Sequence, residues 1–169
     1  MALCFEDLIE RYHDEMFAYL WRLLGTNARR DGAMDVEDLV QDVFMRAYRN
    51  FAALRPGANH RAWLYKIATN RAYTRLHQIK QRRDRLSSFT NSISDLGIPT
   101  DHPAERKSIE QRVRVLMRRL PAKQKACITL RYLQDLDYPE IARIVGCSEE
   151  SARANVYQAI CRLRMAMAE

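Results

Sequence analysis

The sequence predicts an all-α protein made of two small helical domains joined by a linker, with a helix-turn-helix in the second domain. Long stretches are rich in Ala, Leu, Arg, Gln, Glu and Met, residue types that favour helices. Apolar residues recur at helical spacing, without the Val, Ile and Thr runs between turn signals that are typical of strands. A polar stretch with several Ser and Pro residues interrupts this pattern over residues 86–103, where we expect the linker.

The first domain, residues 1–85, is predicted to contain three helices. Phe5–Leu24 carries an apolar stripe at roughly helical spacing and is followed by Gly25, a natural C-terminal cap. A second helix, Asp35–Phe51, begins with a good N-cap residue and has an apolar face. After a loop with a Pro-Gly pair, Asn59 can cap a third, longer helix that runs to about Arg83.

The second domain, residues 104–169, is predicted to contain four helices. The first spans about Ala104–Arg119, and the second begins at Pro121, a residue suited to a first helical turn. Asp137–Val145 opens with a capping box, in which Asp137 is the cap and a glutamate follows three residues later. Gly146 ends that short helix, and the last helix, Ser148–Met167, has a serine cap and two early glutamates.

Positive charge is concentrated in the third predicted helix. The whole chain carries a formal charge of +7. The segment Asn59–Arg85 holds eight basic residues against the single acidic Asp84, so it also sums to +7 and the rest of the chain sums to zero. Its basic residues are Arg61, Lys66, Arg71, Arg75, Lys80, Arg82, Arg83 and Arg85. A solvated helix face is one interpretation, but confinement of the excess to one helix favours contact with a polyanion.

Several classes of function are not expected. The four cysteines, Cys4, Cys127, Cys147 and Cys161, are scattered without metal-ligand spacing, which favours buried thiols in a reducing compartment. We find no P-loop and no nucleophile elbow, so we expect no enzyme, no catalytic residues, no metal and no cofactor. No signal peptide or membrane-length apolar run is present, which predicts a cytoplasmic protein without membrane insertion.

The segment Tyr138–Arg164 is the most specific local pattern. A short helix, a tight turn containing glycine and a longer helix form a helix-turn-helix, whose second helix would enter the major groove of DNA. Ala142 is small at the point where the two helices must cross closely. An ordinary helical hairpin is the alternative for this segment taken alone.

Five stretches resemble those of extracytoplasmic-function sigma factors, which bind bacterial RNA polymerase. Leu120–Lys125, Leu130–Leu133 and Asp137–Gly146 resemble the promoter-reading C-terminal domain of that family. Asp35–Phe51 resembles the polymerase-binding helix, and Trp63–Arg71 resembles the helix that opens the minus-ten element. The stretches occur in the family's order, and the resemblance extends over nearly the whole chain, which implies a promoter-directing initiation factor.

The resemblance implies two sites in the first domain. The polar face of the second helix would bind a coiled coil of core RNA polymerase, although acidic residues also suit a helix start. Its residues are Asp35, Glu37, Asp38, Gln41 and Asp42. The third helix combines cations with aromatic rings, which suits unpaired bases and phosphates of the minus-ten DNA. Its residues are Arg61, Trp63, Lys66, Asn70, Arg71, Tyr73 and Arg75. Core packing is the simpler interpretation of Trp63 alone.

The resemblance also implies a minus-thirty-five site in the second domain. Its residues are Arg131, Ser151, Arg153, Asn155, Tyr157, Gln158 and Arg162. Several positions that are basic in the family are neutral in this last helix. Because Asn and Gln can read adenine, base readout is still expected, with weaker attraction to phosphate.

Other functions remain open from the residues alone. A sigma-like module that titrates an anti-sigma factor without binding promoters is the main alternative, and the reduced charge of the last helix favours it. A dimeric helix-turn-helix repressor would leave the first domain unused. A phosphoryl-transfer enzyme or nuclease is the least expected function, because the acidic residues of this chain lack metal-site spacing.

The partners implied by the resemblance are core RNA polymerase, promoter DNA and an anti-sigma factor.

Overall fold

The computed structural model describes residues 4–24, 36–89 and 109–168 of the chain. These residues form seven helices and no strand, which confirms the all-α prediction. The N-terminal half contains α1 (Phe5–Leu24), α2 (Val36–Phe51) and α3 (His60–Phe89). The C-terminal half contains α4 (Ile109–Arg119), α5 (Ala122–Tyr132), α6 (Tyr138–Val145) and α7 (Glu149–Ala168). No helix among the described residues is long and apolar enough to cross a membrane.

Three predicted N-caps are confirmed by their hydrogen bonds. Asn59 Oδ1 accepts from the Ala62 amide at 3.0 Å, at the start of α3. Asp137 accepts from the Glu140 amide at 2.8 Å. Ser148 Oγ accepts from the Ser151 amide at 3.1 Å. Each bond satisfies an amide that the first turn of a helix leaves unpaired, so these polar residues fix where α3, α6 and α7 begin.

The third helix is longer than predicted. It continues to Phe89, so the first four residues of the predicted linker, 86–89, are helical. The change to serine-rich composition did not end the helix, because serine costs little in a helix and no proline or glycine occurs there. Residues 90–103, Asp35 and the predicted start of the next helix at residues 104–108 lie outside the described residues.

The N-terminal half is a three-helix arrangement in which each helix packs on the other two. Leu8 and Leu20 of α1, Val43 of α2 and Leu64 of α3 are fully buried in its core. A buried hydrogen bond of 2.7 Å joins the Tyr19 hydroxyl of α1 to Thr69 Oγ1 of α3. Burial of both hydroxyls is tolerated because each satisfies the other.

The two halves pack against each other. α3 contacts α6, and α1 contacts α5. Buried residues of both halves, including Ala72, Cys127 and Ile141, belong to one continuous apolar cluster. The C-terminal half also has a small cluster of its own, in which Leu120 and Ile128 surround Ala159 of α7. α3 is therefore covered on two sides, by its own three-helix arrangement and by the C-terminal half.

Candidate nucleic-acid interface

The helix-turn-helix consists of α6, the turn Gly146–Ser148 and α7. Gly146 adopts the left-handed conformation (φ 77°) that glycine accepts most readily, and its amide donates to the Ala142 carbonyl at 2.8 Å. Ile141 and Ile144 of α6 are buried together with Val156 of α7. This packing leaves one side of α7 exposed to solvent, as a recognition helix requires.

The predicted minus-thirty-five residues mostly lie on α7, and several already have partners inside the protein. Arg153, Tyr157, Gln158 and Arg162 are exposed, whereas Ser151, Asn155 and Arg131 are half-buried. Gln158 Oε1 accepts from Gln124 Nε2 of α5 at 2.8 Å. Asn155 Nδ2 donates to the Ser151 carbonyl one turn earlier at 2.7 Å. Tyr157 has 70% of its surface exposed on this face.

The predicted minus-ten residues on α3 are less accessible than expected. Asn70 is exposed, but Arg61, Trp63, Lys66, Arg71 and Tyr73 are half-buried. Arg75 is buried with 8% exposure, and its Nη2 atom has no hydrogen-bond partner among the described residues. Its phosphate contact stays a prediction, which requires the side chain to move into solvent.

Arg61 joins three elements. Its Nε donates to Glu15 Oε1 of α1 at 2.7 Å, and the Tyr65 hydroxyl donates to the same oxygen at 2.7 Å. Arg61 Nη2 donates to the carbonyl and to Oε1 of Gln134 in the C-terminal half, at 3.3 and 3.1 Å. Partial burial opposes the charge of Arg61, but the hydrogen bond and charge of Glu15 outweigh it and raise the pKa of the guanidinium. Arg61 therefore remains charged and holds the two halves together.

Lys66 and Tyr73 face the C-terminal half. A Cβ placed on Gly146 of the helix-turn-helix would meet Lys66 Nζ at 3.2 Å. Burial raises the pKa of the Tyr73 hydroxyl, and the nearby thiols Cys127 and Cys147 of the C-terminal half add to this effect. These contacts place two predicted minus-ten residues against the turn and core of the helix-turn-helix half.

Lys125 of α5 is the most deeply buried cation at the contact between the halves, among the residues the structure describes. It is 5% exposed, and its Nζ donates to the Leu23 carbonyl of α1 at 3.4 Å and to the Arg118 carbonyl of α4 at 3.2 Å. Burial lowers its pKa, and the charge of Arg118 adds to this effect. Both carbonyls lie in the last turns of helices, where the helix provides no amide for them. Lys125 therefore satisfies one helix end from each half.

The residues of the predicted polymerase-binding face of α2 differ in their exposure. Glu37, Asp38 and Gln41 are exposed. Asp42 is half-buried and forms ion pairs with Arg71 of α3 and with Arg46 one turn along α2. Asp42 thus contributes to the packing of α2 on α3, and only the exposed part of the face is free to meet a partner. Asp35 is outside the described residues.

An apolar groove that the sequence did not indicate lies beside this face. It has a volume of about 600 Å³ and runs between α1 and α2. Its lining includes Phe5, Ile9 and Phe44, and the exposed Met45 and Tyr48 stand on its α2 side. Exposed apolar residues that form a contiguous groove are typical of a protein-binding surface.

Other residues at the contact between the halves were not predicted either. Glu15 and Gln134 have no role in the sequence-based prediction, and Glu140 is predicted only as part of the capping box of α6. In the structure Glu140 accepts from Asn59 Nδ2 of the N-terminal half at 3.0 Å. In the sequence, the one sign of this contact is a charged residue among the apolar positions of a predicted helix, as at Lys125. No cluster of His, Cys, Asp or Glu that could hold a metal occurs within residues 4–24, 36–89 and 109–168.

Comparisons with known proteins match both halves. A family profile described as "Sigma-70 region 2" matches residues 8–83, and one described as "Sigma-70, region 4" matches residues 110–163. The ECF RNA polymerase sigma-E factor of Haemophilus influenzae is 28% identical over 163 residues, covering 92% of this chain and 82% of that protein. The sigma-E factor of Escherichia coli is 29% identical over 165 residues, covering 92% and 82%.

Solved structures show the same fold. The sigma factor RpoE of Bartonella quintana, in complex with the anti-sigma factor NepR, superposes with a TM-score of 0.73 at 26% identity, covering 97% of this chain and 96% of that one. The structure of CnrH with the cytosolic domain of CnrY has a TM-score of 0.64 at 22% identity, covering 97% and 87%, and supports the fold alone.

Replacing Lys125 by Met is expected to loosen the contact between the halves. Each buried carbonyl left without a donor costs about 1–3 kcal/mol, and separation of the halves would rehydrate the Leu23 carbonyl. The radius of gyration from small-angle X-ray scattering should therefore increase. Lys123→Met, at an exposed position on the same helix, should leave it unchanged. Equal radii for wild type and Lys125→Met would contradict the role given to Lys125.

Proposed function

The chain belongs to the extracytoplasmic-function group of the sigma-70 family, and we propose that it binds core RNA polymerase through α2 and reads promoter DNA through α3 and α7. Its function is to direct promoter-specific initiation of transcription. One observation carries the assignment of surfaces: a single chain presents the exposed part of an acidic helix, a basic helix beside it, and a helix-turn-helix whose second helix has an uncovered face. Domain boundaries near residues 85 and 104 fit these roles.

This role is regulatory, and the protein acts where RNA polymerase does, in the cytoplasm. Anti-sigma factors are a further class of partner, because the sigma factor RpoE of Bartonella quintana, which has the same fold, is bound to one. The alternative of a module that only titrates an anti-sigma factor is not favoured, since the full-length relatives are named as RNA polymerase sigma factors.

Promoter binding requires the two halves to separate. Arg61 is bonded to Gln134, and Lys66 lies against the helix-turn-helix turn, so neither side chain is free for the minus-ten strand. The contact between the halves is largely polar at its rim, and such contacts exchange readily for contacts with solvent or with another protein. We propose that polymerase binding favours the separated form and frees the DNA-facing side of α3.

The polymerase-binding surface comprises the exposed acidic residues of α2 and the neighbouring groove. Glu37, Asp38 and Gln41 supply charge and hydrogen-bonding groups, and Met45 and Tyr48 supply apolar area. Binding surfaces usually combine an apolar centre with a polar rim. Asp42 helps to hold α2, and with it this surface, in place on α3 through its ion pair with Arg71.

Run-off transcription tests the proposed function directly. Core polymerase with this protein should yield discrete transcripts from a genomic promoter pool, and core polymerase alone should not. A variant with Arg61 and Lys66 replaced by Ala should bind core polymerase but yield few transcripts, because it lacks two cations for the melted strand. Absence of discrete transcripts with a protein that binds core polymerase would contradict the proposal.

Reversing one exposed charge on α2 should weaken polymerase binding without harming the fold. Asp38→Lys places a cation where an acidic face is proposed to meet a basic partner, and like-charge contact suppresses association. The dissociation constant for core polymerase, measured by fluorescence anisotropy, should rise by about tenfold or more. Asp14→Lys, at a fully exposed position on α1, is the matched control and should bind as wild type does. Equal affinity for Asp38→Lys and wild type would remove α2 from the proposed interface.

A further inference from the structure

Tyr138 stands at a point where two arginines of the C-terminal half meet. It is the first residue of α6, directly after the capping Asp137, and one part of its side chain packs on the apolar core. The Arg153 guanidinium carbon lies 4.5 Å from the centre of its ring, and that of Arg131 lies 5.1 Å away. No role follows for Tyr138 from the helix-turn-helix pattern, which assigns it only to the start of a helix.

Both arginines have further partners that limit their freedom. Arg131 Nη1 donates to the Leu136 carbonyl at 3.0 Å, in the loop between α5 and α6. Arg153 Nη2 lies 2.6 Å from Glu149 Oε1, one turn earlier on α7, while its side chain is 59% exposed. Two cations from different helices are thus collected around one aromatic ring, at the start of the recognition helix.

We infer that Tyr138 is a positioning residue, which holds Arg131 and Arg153 in place to contact adjacent phosphates of the minus-thirty-five duplex. The inference rests on the proposed function, since it requires that the helix-turn-helix binds promoter DNA. In this role Tyr138 contacts no base itself and contributes to promoter binding only through the two arginines.

The aromatic ring of Tyr138 explains why two arginines can be held close together. Two guanidinium groups brought close together repel each other, but the negative face of an aromatic ring attracts both. A guanidinium fixed in advance loses less side-chain entropy when it binds a phosphate than one that moves freely. Unlike Glu149, the ring holds the arginines without cancelling their charge, so their attraction for phosphate is kept.

The cluster of Arg131 and Arg153 around Tyr138 also compensates for the lack of net charge on α7. Over residues 148–169 the basic residues Arg153, Arg162 and Arg164 are balanced by Glu149, Glu150 and Glu169. A helix without net charge gains little from long-range attraction to DNA, so the placement of individual cations matters more. Arg131 adds a cation from a different helix to the same phosphate-facing cluster.

The test uses holoenzyme assembled from core polymerase and the full chain, with a duplex promoter fragment that the wild-type holoenzyme transcribes. Binding is measured as a function of salt for wild type, Tyr138→Phe and Tyr138→Leu. Tyr138→Phe keeps the ring and should match wild type. Tyr138→Leu keeps apolar packing but removes the ring, so affinity should fall roughly 5- to 30-fold. The slope of log affinity against log salt should flatten by about 1–2, since each phosphate contact contributes about 0.9.

A double-mutant cycle separates positioning from a structural role. Arg153→Gln should flatten the slope by about 1 in the wild-type background and much less in the Tyr138→Leu background. A purely structural role would lower thermal stability and leave the effect of Arg153→Gln the same in both backgrounds.

Arg131→Lys and Arg153→Lys keep the charge but lack the planar group that stacks on the ring. They should weaken binding, and they test the inference even if Tyr138→Leu does not fold.

The inference is overturned if Tyr138→Leu matches wild type in affinity and slope, or if Tyr138→Phe behaves like Tyr138→Leu. Wild-type affinity in both arginine-to-lysine variants would overturn it as well. Failure of the proposed function gives a different result, because the wild-type holoenzyme would then yield no transcript from any fragment.

Discussion

Arg61 is bonded at once to Glu15 of α1 and to Gln134 of the C-terminal half, and Lys125 links the ends of α1 and α4 in the same region. These bonds, with the shared apolar cluster beneath them, set the relative positions of the two halves. The arrangement determines which DNA-facing residues are accessible. α7 keeps an exposed side, whereas Arg61, Lys66, Arg71 and Arg75 of α3 are half-buried or buried within the protein.

The same side chains therefore have two sets of partners. In the closed structure Arg61 and Asn59 bind Gln134 and Glu140, which offer carbonyl and carboxylate oxygens. In an open complex the same donors would meet phosphate oxygens and bases, which present similar acceptors. Hydrogen bonds of this kind can be exchanged for bonds to DNA, whereas the shared apolar cluster beneath them must be covered by a partner or exposed to water when the halves separate.

Helix positions could be predicted from local sequence, and the contact between the halves could not. The caps Asn59, Asp137 and Ser148 act over three residues, so the sequence reveals them directly. The second covered side of α3, by contrast, results from its contact with α6, and periodicity along one helix reports only one packed face. The Gln124–Gln158 bond and the cluster around Tyr138 likewise join residues far apart in sequence. α3 is longer than the sequence predicts, because a serine-rich composition indicates a linker but does not by itself end a helix.

The central claim is that the free protein is closed and that the working holoenzyme is open. Energy transfer between dyes placed on Thr74 of α3 and Arg143 of α6, two exposed positions on helices that are in contact, measures this directly. Transfer should be efficient in the free protein and should fall when core polymerase is added. Efficient transfer that persists in a holoenzyme active in run-off transcription would contradict the account.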